Sequence, residues 1–258
     1  MLQFDAETSA LLETAYQGRD VRQRRRAALD ALWLAGGETV LDIGCGNGLL
    51  TEEIARAVGP RGQVIGIDPS ADMRALATVR CAQYPAVTIS DGLAGALPVP
   101  DGCADRAVAV QVLEYLSDLP AAIGDVFRCL RSGGRFVAID AGLPTLDWFS
   151  DHPVRMNRIA AAWDHHYVEP RVAMHWTRLT QEAGFTGIEI APLSYCDTTL
   201  RPDGIAQMML LLMARYASDN GYISEEEARA WSEEQYELAR TGRFFFSVSF
   251  YRMSAVKP

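Results

Sequence analysis

Two kinds of segment alternate along the chain. Short runs are dense in Val, Ile and Leu, and longer stretches return an apolar residue every three or four positions. The first run, Val40 to Ile43, drives into Gly44, Gly46 and Gly48, and a helical pattern from Leu49 to Val58 follows. Further runs at Gln63 to Ile67, Ala86 to Ser90, Asp105 to about Gln111 and Arg135 to Asp140 recur at strand–helix–strand spacing. They are continuously apolar, as strands covered on both faces require, so an α/β fold with a mostly parallel sheet is predicted. Beyond them lies a polar, aromatic-rich segment, Asp147 to His152, read as an insertion. A helix over Val154 to His166 has Met156, Ile159, Ala160 and Trp163 on one face, and another over Arg178 to Ala183 closes at Gly184. A sixth strand is predicted at Gly187 to Pro192 and a seventh at Phe244 to Met253. Between them, about Pro202 to Arg240, lie two helices: Ile205 to Ala217, nearly all apolar, and Ser224 to Arg240, opened by the capping box Ser224 and Glu227.

The glycine-rich turn after the first strand is the most informative feature. Glycine permits positive φ, and the helix that follows offers unpaired N–H groups, the usual cradle of a nucleotide. In a dinucleotide fold that cradle faces a doubly negative pyrophosphate, which a neighbouring carboxylate would repel. Asp42 stands two residues before the first glycine, so the turn suits a ligand with an ammonium group and no phosphate, such as S-adenosylmethionine. The second strand ends in Asp68, placed to accept the hydroxyls of an adenosine ribose, a feature shared with NAD-binding folds. The third ends in Asp91-Gly92, at the same crevice and placed to accept an adenine amino group.

These pieces occur in a familiar order: VLDIGCGNG (40 to 48), VIGIDPSADM (64 to 73), SDG (90 to 92), ALPVPDGCAD (96 to 105), QVLEYL (111 to 116) and LRSGGRFVAID (130 to 140). Over about residues 30 to 140 the chain resembles the class I S-adenosylmethionine-dependent methyltransferases, in particular the ubiquinone/menaquinone-type small-molecule branch. The resemblance implies a Rossmann-like, seven-stranded sheet, mostly parallel with its last strand antiparallel. It also implies that Asp42, Gly44 and Gly46 line the methionine end and Asp68 holds the ribose. Met73 would then pack on the adenine, Asp91 would read its amino group and Gln111 would lie beside the sulfonium, with Cys45, Gly48, Pro69, Gly92 and Val112 also at the cofactor. Single-domain organisation over 1–258 is expected, with cap elements at about 1–33, 141–170 and 200–240 roofing the crevice.

Composition narrows the partners. A formal net charge of −9 and an isoelectric point near 5.0 give no attraction for nucleic acid or an anionic membrane. The five arginines between Arg19 and Arg26 read as a solvated helix face or a local binding patch. No apolar run is long enough to span a membrane, and the first residues lack an export-signal pattern, so a cytoplasmic monomer or homodimer is expected. Five scattered cysteines without a C-x-x-C pair, and four dispersed histidines, predict neither disulfide framework nor metal site.

The acceptor is expected to be a small molecule methylated at O, N or C. A sulfonium methyl is already activated, so the protein must supply alignment, exclusion of water and, for some acceptors, a base. His165, His166 and His175 are the candidate bases, each also readable as a polar helix-end residue; at most one of the adjacent pair faces a pocket. Tyr16, Tyr115, Trp148, Trp163 and Met209 are candidate acceptor contacts. Tyr115 follows Glu114 where related enzymes often carry His, and Met209 lies in a methionine–leucine run that equally suits a helix core. Three other functions stay open on sequence alone: a cofactor-assisted rearrangement or cyclisation without methyl transfer, a partner protein without catalysis, and an NAD oxidoreductase.

Overall fold

The computed structural model describes residues 16–258; the first fifteen residues of the N-terminal cap element expected over 1–33 lie outside them. Seven strands, β1 (Thr39–Ile43), β2 (Gln63–Ile67), β3 (Val87–Ser90), β4 (Ala104–Val110), β5 (Leu130–Trp148), β6 (Thr186–Asp197) and β7 (Phe246–Val256), form one sheet in the order β3-β2-β1-β4-β5-β7-β6. The first five pair in parallel, with Asp42 beside Gly66 and Val108, and Val110 beside Ile139. β7 runs against both its neighbours. Along β5, Gly133 pairs with Lys257, Thr145 with Ser249 and Phe149 with Phe245; along β6, Thr186 bonds Val256 and Ser194 bonds Ser249. One partner's number falls as the other's rises, so the mostly parallel sheet with its last strand antiparallel is the fold observed. Reversal of strand order between β1 and β4 opens a crevice at their carboxyl ends, where such sheets bind ligands.

The described helices are α1 (Arg19–Leu32), α2 (Leu49–Val58), α3 (Ala71–Cys81), α4 (Leu119–Cys129), α5 (Pro153–Asp164), α6 (Val172–Glu182), α7 (Ile205–Asp219) and α8 (Glu225–Arg240), with a 3₁₀ turn at Leu113–Tyr115. The capping box at α8 is present in both directions: the Ser224 hydroxyl accepts from Glu227 N, and the Glu227 carboxylate accepts from Ser224 N. Several boundaries differ from the sequence pattern. β5 continues through Asp147 to Trp148, because β7 pairs beside it and holds a polar stretch extended; the first two residues of the segment read as an insertion are therefore strand. β6 reaches Asp197 for the same reason, and α6 starts at Val172, six residues ahead of Arg178.

Two compact units divide the chain. The first comprises Arg25–Ala141, Arg171–Pro192 and Tyr251–Pro258. Its core on one side of the sheet gathers Phe136, Leu130 and Ala138 of β5, Ile123 and Val126 of α4, and Trp176 and Leu179 of α6, with Phe185 stacked on Phe136 at 5.9 Å. Trp176 is wholly buried, and its truncation to Ala would cost about 3–5 kcal/mol. Arg128 on α4 donates to the Leu97 and Val99 carbonyls and to Asp101 and Asp125, pinning the proline-containing loop that follows β3.

The second unit contains Gly142–Pro170, Leu193–Phe250 and the N-terminal part of the chain to Arg24. Here Trp148 packs edge-on against Trp231, Phe244 and Phe246, with ring centroids 4.6 to 5.9 Å apart. Glu234 of α8 ties down the turn before α5, accepting from Ser150 Oγ, Asp151 N and Arg155. Asp20 of α1 accepts from Ile205 N at the start of α7.

Candidate active site

Each glycine in the first turn answers a different constraint. Gly44 and Cys45 both donate their N–H to Ile67 O, tying the turn to the end of β2. Gly44 has φ +67°, and a Cβ there would stand 2.3 Å from Val112 Cγ2; at Gly48, φ +81°, it would stand 2.8 Å from Ala77 Cα. Both are therefore required by packing. Gly46, at φ +52°, faces open space with no atom within 4 Å of a Cβ position, so its backbone is bare toward a ligand. Cys45 lies against Gly66, and burial, reinforced by the Asp42 and Asp68 charges, pushes its thiol far above the usual range. It remains a protonated, small packing residue.

Two buried carboxylates flank this turn. Asp42 is 2% exposed and accepts a 2.6 Å hydrogen bond from the Thr51 hydroxyl on the first turn of α2. Burial pushes its carboxyl up to about 7; the Thr51 bond opposes the rise and the Asp68 charge adds to it. Asp68 accepts Gly46 N on Oδ2 (2.8 Å) and Ser70 N on Oδ1 (2.9 Å), which fixes the plane of the carboxylate. Each oxygen keeps a further acceptor position, as contact with two ribose hydroxyls demands. Ser70 caps α3 by accepting from Met73 N, leaving Met73 half-buried one turn from Asp68. Asp91 is largely exposed and held by Arg74, whose Nη1 donates to Asp91 Oδ1 and to Asp68 O; Pro69 is exposed and Gly92 half-buried beside them. The set contains acids, backbone amides and bare glycine, with no cation committed to a phosphate, and so fits a nucleoside carrying an amino-acid tail.

At the exit of β4 the backbone is strained. Gln111 has φ +56°, outside glycine's privilege, and its N–H donates to Ile139 O. Val112 N donates to Asp140 Oδ1 at 2.9 Å, and Gln111 Nε2 donates to Glu114 Oε1. Tyr115 ends the 3₁₀ turn and is 39% exposed.

Of the acceptor-side residues, the second unit brings His165, His166 and Trp163 into one aromatic group at the end of α5. His166 stacks on Trp163 (4.6 Å between centroids, 23°) and meets Tyr167 and Tyr216 edge-on; His165 is exposed and stacks on Tyr222. Burial lowers the His166 imidazole to about 4, which keeps it neutral near pH 7 and makes it a weak proton acceptor. His175 lies in the first turn of α6, in the sheet unit. Trp148 is 5% exposed within its aromatic cluster, and Met209 is buried among the apolar residues of α7; Tyr16 is half-buried. Sequence reading missed Thr51, Arg74 and Asp140, because an apolar-facing threonine, a surface arginine and a strand-end aspartate carry no motif of their own. Among the described residues no cluster of three or more His, Cys, Asp or Glu is placed to hold a metal, and no helix is long and apolar enough to cross a membrane.

A methyltransferase domain family matches residues 41–138. A 2-phytyl-1,4-naphtoquinone methyltransferase of Thermosynechococcus vestitus is 32% identical over 185 residues, covering 66% of this chain and 81% of that protein. An uncharacterized 37.1 kDa protein in a Streptomyces fradiae transposon is 33% identical over 241 residues, covering 89% of this chain and 66% of its own length. Among solved structures, Haemonchus contortus phosphoethanolamine N-methyltransferase 2 in complex with S-adenosyl-L-methionine superposes with a TM-score of 0.66 at 16% identity, over 99% of this chain and 58% of that one, which shows a shared fold.

Proposed function

Because the chain belongs to the class I S-adenosylmethionine-dependent methyltransferases, we propose that it transfers a methyl group from S-adenosylmethionine to a small organic acceptor. The observation that carries this reading is the Gly44–Gly48 turn with Asp68 locked beneath it by Gly46 N: bare backbone and acid together, where a phosphate ligand would need bare backbone and a base. Asp42, Gly44, Cys45, Gly46 and Gly48 hold the methionine end, and Asp68 and Pro69 the ribose. Met73, Asp91 and Gly92 hold the adenine; Gln111 and Val112 lie at the sulfur. When bound, the cofactor supplies a methyl group already activated as a sulfonium. The chain's residues then contribute orientation and exclusion of water.

The acceptor is flat and aromatic or quinone-like. The aromatic group of Trp163, His166, Tyr167, Tyr216 and Tyr222 supports this, as does the quinone named for the Thermosynechococcus relative. Acceptor choice resides in the helical unit, and one of His165, His166 and His175 takes the acceptor proton. A biosynthetic, cytoplasmic enzyme, monomeric or homodimeric and without nucleic-acid partners, accords with the net charge of −9.

The test is calorimetry with S-adenosylhomocysteine and NAD, followed by turnover on a panel of quinols, phenols and amines with S-adenosylhomocysteine quantified. Binding of the former and not NAD is expected, and Asp68→Ala should weaken it about fivefold or more, as loss of a contact worth about 1–3 kcal/mol demands. Product formed without S-adenosylhomocysteine would replace methyl transfer by cofactor-assisted rearrangement; NAD binding would overturn the assignment altogether.

A further inference from the structure

The exits of β4 and β5 are joined by two carboxyl side chains that the cofactor site does not account for. Asp140, at the end of the apolar run of β5, is wholly buried; Glu114, in the turn after β4, is 1% exposed. Each reaches across to the other strand's backbone. Asp140 Oδ1 accepts Val112 N at 2.9 Å and Glu114 N at 3.4 Å, while Glu114 Oε2 accepts Ala141 N at 2.8 Å and its Oε1 accepts Gln111 Nε2. The residues so gripped matter to the glycine turn. Val112 Cγ2 occupies the space that Gly44 leaves by lacking a Cβ, and Gln111 is held at a left-handed φ that residues other than glycine rarely adopt. Such strain persists only where surrounding contacts over-determine it.

We propose that Asp140 and Glu114 form a reciprocal clamp that positions Gln111 and Val112, and through Val112 the Gly44 turn, for cofactor binding. Both are positioning residues, since their carboxyl groups are spent on backbone amides and the Gln111 amide. What the clamp requires is three acceptor atoms at fixed places, and a full pair of charges is not needed. Burial and the adjacent Glu114 push the Asp140 carboxyl well above the usual carboxylate range, so its amide counterpart is a close mimic of the group in place. Asp140 Oδ2 has no hydrogen-bond partner among the described residues, so an NH₂ in its place breaks no hydrogen bond.

The inference rests on the proposed cofactor, so parent protein that fails to bind S-adenosylhomocysteine refutes that assignment before any variant is compared. With binding established, the full-length variants Asp140→Asn, Asp140→Ala, Glu114→Ala and the double alanine variant are titrated with S-adenosylhomocysteine, their folding checked by circular dichroism. Asp140→Asn should bind within about threefold of the parent. Each single alanine variant should lose at least tenfold in affinity, about 1.4 kcal/mol, and raise the Michaelis constant for S-adenosylmethionine more than that for the acceptor. The double variant should lose less than the product of the two single losses, because a clamp opened at one jaw no longer uses the other. Alanine variants that fold and bind as the parent does, or multiplicative losses, overturn the clamp. If the alanine variants do not fold, Asp140→Asn still decides: a tenfold loss there overturns the claim that acceptor atoms alone are required, and retained affinity with the Val112 amide still protected from hydrogen exchange upholds it.

Discussion

Asp42 makes cofactor affinity depend on pH in a calculable way. In the ligand-free protein its carboxyl titrates at about 7, while a bound ammonium group favours the ionised form, so binding at lower pH must first remove a proton. With a ligand-free value of about 7, the apparent dissociation constant of S-adenosylhomocysteine is multiplied by about 11 at pH 6 and about 1.1 at pH 8, a tenfold or 1.4 kcal/mol difference. Thr51 is the handle, because its 2.6 Å hydrogen bond stabilises the charged form. Replacing it by the near-isosteric valine removes a bond to a charged acceptor worth about 1.5–3 kcal/mol, which at 1.36 kcal/mol per unit raises the midpoint by about 1–2 pH units. The assay is calorimetry between pH 6 and 9 in two buffers of different ionisation enthalpy, which counts the protons released. Parent protein should release about half a proton at pH 7. Thr51→Val should release more and bind more weakly there, and Asp42→Asn should show no slope below pH 8. Affinity flat from pH 6 to 8 in the parent, or a midpoint unmoved by Thr51→Val, would refute the reasoning. The same group fixes a sign for stability without ligand. The folded chain keeps a proton that the unfolded chain gives up near 4, so Asp42 costs stability progressively as pH rises from about 4 to about 7.

Two further outcomes follow from the geometry. Gly48→Ala places a Cβ 2.8 Å from the Ala77 backbone at φ +81°, so beyond the left-handed penalty of about 1–2 kcal/mol the turn must shift; a lower melting temperature and weaker S-adenosylhomocysteine binding are expected, and an unchanged melting curve would contradict the packing argument. His166 stays neutral in the fold down to about 4 whereas the unfolded chain protonates near 6.5, so it destabilises the protein progressively as pH falls through that window. His166→Phe should therefore gain in melting temperature relative to the parent between pH 6.5 and 4.5, and a difference constant with pH would show that the imidazole is not shielded as described.

Local sequence determined the glycine turn, its flanking acids and the strand–helix alternation, because each depends on chemistry within a few residues. Gly44, Gly46 and Gly48 stand where positive φ is needed, Asp42 and Asp68 at strand ends, and the Ser224–Glu227 box where a helix must start. Tertiary structure decided what depends on residues distant in the chain. β5 runs on through polar Asp147 because β7, a hundred residues later, supplies its hydrogen bonds. Asp42 titrates near neutrality because burial strips its solvent, and Thr51 could be matched to it only once α2 folded back over β1. Trp148, a candidate acceptor contact in the sequence, is buried because Trp231, Phe244 and Phe246 close around it. Asp140 and Glu114 sit 26 residues apart in two separate motifs and meet only because β4 and β5 are neighbours in the sheet. Periodicity and turn chemistry are local and can be read from a sequence; desolvation, register and long-range hydrogen bonds exist only after the chain has closed on itself.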